Sequence, residues 1–105
     1  MRIPTAMGLA LALLLACAGS RAQAQRPQGG ELAGRLGCLA CHALNGPGDK
    51  LAAPLDGVGT RLTAGELAIA IAYPRQRHPQ AKMPSYAYLP AMEQAALVEF
   101  LQTLK

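Results

Sequence analysis

Side chains large enough to fill an interior are what this chain lacks: its 105 residues include one Phe, three Tyr and no Trp. A single small domain is all that such a length allows. Chains of this size bury a modest share of their surface and usually need disulfides, a metal or a bound cofactor to hold them. Disulfides do not supply the staple here. There are three cysteines, too few for a framework, and Cys17 stands apart from Cys38 and Cys41.

Cys17 falls in a segment built like an export signal. Arg2 is followed by an apolar run from Met7 to Ala18, and Ala22-Gln23-Ala24 has the small-residue pattern of a signal cleavage site. The run is shorter than the roughly 20 residues that a membrane-spanning helix needs. Residues 1–24 are therefore expected to be a signal peptide, cleaved after Ala24, with a retained anchor as the blander alternative. A second alternative is that Leu14-Leu15-Ala16-Cys17 acts as a lipoprotein box, leaving the domain tethered to a membrane through Cys17. The whole chain has a formal charge of +4 and a pI near 9.3. Loss of Arg2 and Arg21 with the leader leaves only a mildly basic domain, so composition gives little support for nucleic-acid binding.

The remainder reads as helices and loops. Residues 25–30 form a polar linker, and 31–105 the domain. Leu32 and Leu36 lie four apart on a short helix from Glu31 to Gly37, in which Gly30, Gly34 and Gly37 make sense if another backbone packs closely. From Ala43 to Thr60, Asn45-Gly46-Pro47-Gly48, Pro54 and Asp56-Gly57-Val58-Gly59 break every period, which predicts one long loop, and such loops are usually functional. Thr63-Ala64-Gly65-Glu66 has capping-box spacing, and Leu67, Ala70 and Ile71 share a face, so a helix is expected from about Ala64 to Ala72, ending before Pro74. A second irregular stretch, Pro74 to Leu89, carries Arg75, Arg77, His78 and Lys82. Pro90 suits the first turn of a last helix with Leu97, Phe100, Leu101 and Leu104 on one face. No segment alternates as a strand, and the expected class is all-α. Three helices and two long loops offer too little apolar side chain to close over themselves.

Cys38-Leu39-Ala40-Cys41-His42 identifies the missing interior. C-x-x-C-H is the attachment sequence of a covalent c-type haem. Two thiols three residues apart lie on one side of a helical turn and can each form a thioether to a haem vinyl group, while the adjacent imidazole turns under the ring to hold the iron. Other readings of the same residues are weaker. A zinc site needs two further ligands, and downstream of the leader only His78 remains as an imidazole donor. A thioredoxin-like pair wants a βαβ setting, and no strands are available to build one. A structural disulfide between Cys38 and Cys41 explains neither His42 nor the thin core.

The group in the sixth position of an iron held by His42 decides between electron transfer and ligand chemistry. Met83 is the candidate: it lies in a Pro-rich loop able to wrap to the far side of the ring, and Pro84 restricts the backbone after it. Met92 falls in the last helix, where core packing is the default for a methionine. His78 and Lys82 could bind iron but sit among charges suited to the surface. His/Met ligation raises the reduction potential, and a filled sixth site keeps oxygen and peroxide out.

With these residues in view, the chain from about Gly30 to Leu104 resembles a small monohaem class I cytochrome c. The resemblance rests on Cys38 to His42, on Pro54-Leu55-Asp56-Gly57-Val58-Gly59-Thr60-Arg61, on Lys82-Met83-Pro84, and on the helix bearing Leu97 and Phe100. It implies a cytochrome c fold, three or more short helices and long loops wrapped around one haem c. It implies that the first and last helices cross, with Gly30 or Gly34 meeting Phe100. It also implies that the Pro54 carbonyl accepts a hydrogen bond from the His42 ring and that Arg61 approaches a haem propionate. Ala53 stands where Gly commonly precedes that proline. The functional expectation is a periplasmic single-electron carrier, not an enzyme, working with redox partner proteins. Arg75, Arg77 and Lys82 are candidates for a docking patch toward an acidic partner, weighed against an ordinary solvated loop. The alternatives are a haem subunit of a larger oxidoreductase, a sensor or catalyst with a displaceable sixth ligand, and a haem-free thiol module.

Overall fold

Gly29 to Arg35 form the first helix, α1, which buries Leu32 and Ala33 and is stopped by Gly37 in the left-handed region at φ 79°. It starts two residues ahead of the expected Glu31, within the stretch read as linker. The computed structural model describes residues 28–105. The expected signal peptide 1–24, the alternative lipid attachment at Cys17 and linker residues 25–27 lie outside the described residues.

Past Gly37 the chain makes a 3₁₀ turn over Cys38–Ala40, and then the long loop. That loop is shorter than its Pro and Gly content predicts, because Val58–Arg61 close into a one-turn helix, α2. Gly57 turns the backbone into it at φ 72°, and Val58 buries. Gly59 then lies against the end of the last helix: its N–H donates to the Leu104 carbonyl at 2.8 Å, and an added Cβ would run into the Gln102 carbonyl oxygen.

The helix α3 spans Ala64–Ala72, as its pattern predicts, with the capping box formed in both directions. Thr63 Oγ accepts from the Glu66 N–H at 3.2 Å and Glu66 Oε1 accepts from the Thr63 N–H at 3.2 Å. Leu67 and Ile71 face the interior at 2% and 4% exposure. Pro74 does end α3, but it also opens another turn, α4 (Pro74–Arg77), within the stretch read as irregular. Its fixed φ suits a first helical position. The last helix, α5 (Ala91–Gln102), has Pro90 as its N-cap, one position before the expected first turn.

Helix α5 is the common wall: α1, α2 and α3 all pack on it, and α4 packs on α3. The α1–α5 crossing explains the early glycines. A Cβ on Gly29 would meet the Ala96 carbonyl and stand 2.6 Å from Phe100 Cβ, and one on Gly30 would stand 3.3 Å from Phe100 Cε2, whereas Gly34 has nothing within 4 Å. Of the two candidates for the Phe100 contact, Gly30 makes it, and Gly29 sits closer still. The described residues contain no strand, only an isolated bridge between Ala43 and Gly48, so the class is all-α. The buried cluster is small: Leu32, Ala33, Ile71, Tyr86, Leu89 and Leu97.

Candidate functional site

The attachment motif owes its shape to the end of α1. Gly37 reverses the backbone, the Ala40 N–H returns to the Gly37 carbonyl at 2.9 Å, and the Cys41 and His42 N–H groups both reach the Cys38 carbonyl, at 3.2 and 2.9 Å. One helical turn thus carries both thiols. Cys38 is half-buried against the core and Cys41 exposed, and the two are not bonded to each other. Burial is the main force pushing the Cys38 thiol above its usual range, assisted by the neighbouring Cys41.

The long loop is laced to this turn. Asp49 N–H donates to the Leu39 carbonyl at 3.1 Å, Ala52 N–H to Cys41 at 2.9 Å and Leu55 N–H to Ala43 at 2.9 Å. Gly48, at φ 111°, sits so near the His42 carbonyl oxygen that no Cβ fits. A loop held at so many points delivers one backbone carbonyl to the imidazole: His42 Nδ1 lies 2.6 Å from the Ala53 oxygen. A carbonyl only accepts, so Nδ1 carries the proton and Nε2 is left with a lone pair to ligate.

That contact corrects the expectation at Pro54. The acceptor is one residue earlier, because the Pro54 carbonyl is turned toward Arg61, whose Nη2 donates to it at 3.2 Å. The Arg61 Nη1 donates to the Asp56 carbonyl at 2.6 Å. Two of its five N–H groups are accounted for by these bonds, which brace the loop leading into α2.

The chain brings His42, Cys38 and Met83 to one cleft, although Met83 lies far downstream in sequence. Its walls are apolar: Ala33 from α1 and Leu36 just past its end, Ile71 from α3, Leu97 and Leu101 from α5, with Leu55 and Tyr86 from the loops. Met92 is not among them. It is 66% exposed on α5, contrary to the expected core packing, because that helix turns its Leu97 side inward. His78 and Lys82 are exposed. The basic cluster divides: Arg77 pairs with Glu66 at 2.6 Å, which together with the Thr63 cap holds the Glu66 carboxyl below its usual range, and Arg75 donates to the Met83 carbonyl at 3.2 Å.

Sequence reasoning missed Tyr86. It is 8% exposed, its hydroxyl reaches the Leu36 carbonyl at 3.4 Å, and burial pushes its phenol upward. The scarcity of aromatics was the available signal: a tyrosine three positions after Met83 in a chain this poor in rings is a candidate core residue wherever it falls.

Haem c fits this donor set. The Cys38 thiol, the His42 imidazole with its Nδ1 committed and the Met83 thioether line a cleft of apolar side chains, and Cys41 stands exposed on the same turn as Cys38, outside that lining. Among the described residues no group of three or more His, Cys, Asp or Glu gathers to hold a metal ion by itself, as a zinc site would require. No curated protein matches the chain. The family model described as Cytochrome c matches residues 28–105, the whole of the described structure. The chain therefore belongs to the cytochrome c family, whose members carry covalently attached haem c and transfer electrons through it.

Proposed function

We propose that the protein is an exported single-electron carrier whose iron is held by His42 and Met83, with no substrate position left open. The observation that carries this reading is the convergence of His42, Met83 and Cys38 on one apolar cleft. Haem c supplies the one-electron iron couple; the chain supplies ligands, dielectric and docking surface. Cys38 and Cys41 anchor the ring through thioethers. The Ala53 carbonyl holds the His42 Nδ1 proton, which orients the imidazole and raises the basicity of Nε2. The Met83 thioether, soft and neutral, favours the reduced iron, and the aliphatic walls keep water from the metal. Arg61 does not line the cleft, and pairing with a propionate would draw on the N–H groups it keeps beyond its two loop carbonyls. Export to the periplasm rests on residues 1–24, with tethering through Cys17 as the alternative. The partners are redox proteins, and Lys82 and His78 are the exposed cationic or titratable groups on the Met83 loop that an acidic one could meet.

Optical spectra of wild type, Met83→Ala, Met92→Ala, His78→Ala and Lys82→Ala test the ligand assignment. Only Met83→Ala should lose the thioether-to-iron charge-transfer absorption and bind carbon monoxide promptly when reduced. Survival of that absorption in Met83→Ala contradicts the assignment, and prompt carbon monoxide binding by wild type favours the sensor or catalyst reading.

A further inference from the structure

We propose that Arg75 is a positioning residue for the sixth ligand: its guanidinium grips the backbone of the Met83 loop and holds the thioether on the iron. This rests on Met83 being that ligand. Arg75 Nη1 donates to the Met83 carbonyl at 3.2 Å and lies 3.4 Å from the Ala81 carbonyl, so one side chain spans the residues just before and at the ligand. The loop between Pro79 and Pro84 makes no ladder of its own; its one backbone tie is the Ala81 N–H to the carbonyl of His78 just before it, at 2.8 Å.

What lies beyond Met83 shows why this corner is where a grip is useful. The last carbonyls of a helix have no partner within it, and at the end of α3 they are taken by the ligand loop. The Tyr86 N–H donates to the Ile71 carbonyl at 2.9 Å and the Ser85 hydroxyl to the Ala72 carbonyl at 2.5 Å. The segment is thus fastened on its C-terminal side to α3. Arg75, on α4 immediately after α3, supplies the fastening on the other side. Met83 sits between two anchor points on one rigid corner. Arg75 is exposed but turns one guanidinium nitrogen onto this loop, whereas the Lys82 side chain makes no hydrogen bond among the described residues.

Loss of the grip should make the thioether easier to displace without altering the identity of the ligand. A charge-assisted hydrogen bond is worth little when it is exposed to solvent, as these are, so a modest effect is expected. The experiment is titration of ferric wild type, Arg75→Met and Arg75→Lys, at matched haem content, with imidazole as the competing sixth ligand. In Arg75→Met the imidazole Kd should fall about three- to tenfold, with the thioether absorption still present in the absence of imidazole. Arg75→Lys keeps the charge but replaces the planar fork with a point donor; it should shift in the same direction by at least twofold, and it decides the question if Arg75→Met does not mature. Values within twofold of wild type overturn the proposal. A wild type without thioether absorption overturns instead the Met83 assignment on which it stands, so the two failures are distinct. A docking role for Arg75 would change the salt dependence of reaction with partners and leave imidazole competition unmoved.

Discussion

Met83 and Met92 are the same residue type placed oppositely, one half-buried at the cleft and the other 66% exposed on α5. Met92→Ala should therefore change the unfolding free energy of the haem-bearing protein, read by denaturant titration, by no more than about 0.5 kcal/mol, the range of ordinary surface changes, whereas Met83→His should keep a six-coordinate iron and lower its midpoint potential in a redox titration. The return of Met83 to the His42 cleft is legible in the chain: a Pro-rich loop able to fold back, and a proline to stiffen it. The carbonyl that holds His42 is not. Whether Ala53 or Pro54 faces the ring depends on the dihedral angles of a loop tied down at Leu39, Cys41 and Ala43, and residue types carry no mark of that. Nor does an arginine's spelling distinguish Arg75, gripping a carbonyl, from Arg77, paired with Glu66.

Among the elements, α3 was legible to the residue because a capping box and an apolar face are both local patterns. Helices α2 and α4 were not, since each is one turn long and leans on neighbours: Gly59 on the end of α5, Arg77 on the start of α3. The glycines of α1 divide for the same reason. Gly34→Ala should stabilise by about 0.5–1 kcal/mol, the helix-propensity difference, because nothing lies within 4 Å of the new methyl. Gly29→Ala should destabilise by more than about 1 kcal/mol as α1 is pushed off Ala96 and Phe100; paired denaturant titrations of the two variants read the contrast. The Glu66 carboxyl, lowered first by Arg77 and then by the Thr63 cap, sets a pH dependence. Its stabilisation is present above the unfolded value near 4.5 and is lost as pH falls through the lower folded value. Wild type should melt above Glu66→Gln at pH 7, and the gap in Tm should close as the solution is acidified below that value.

Over the whole molecule, the protein's own core is a short set of aliphatics and one tyrosine, and half-buried Leu36, Met83 and Leu101 line the cleft beside it. Those few side chains are a small core for a domain of this length, in keeping with the shortage of aromatics in the sequence. Haem and fold should then be coupled, since a group bound only by the native state stabilises it. The most direct test is to produce the chain with and without the machinery that attaches haem to C-x-x-C-H, then compare acid-acetone extraction and far-ultraviolet circular dichroism of the two products. Colour that survives extraction together with a cooperative helical melt in the first, and a largely unfolded spectrum in the second, is the expected result. A colourless product of the first preparation that nonetheless melts cooperatively as a helical domain would contradict it.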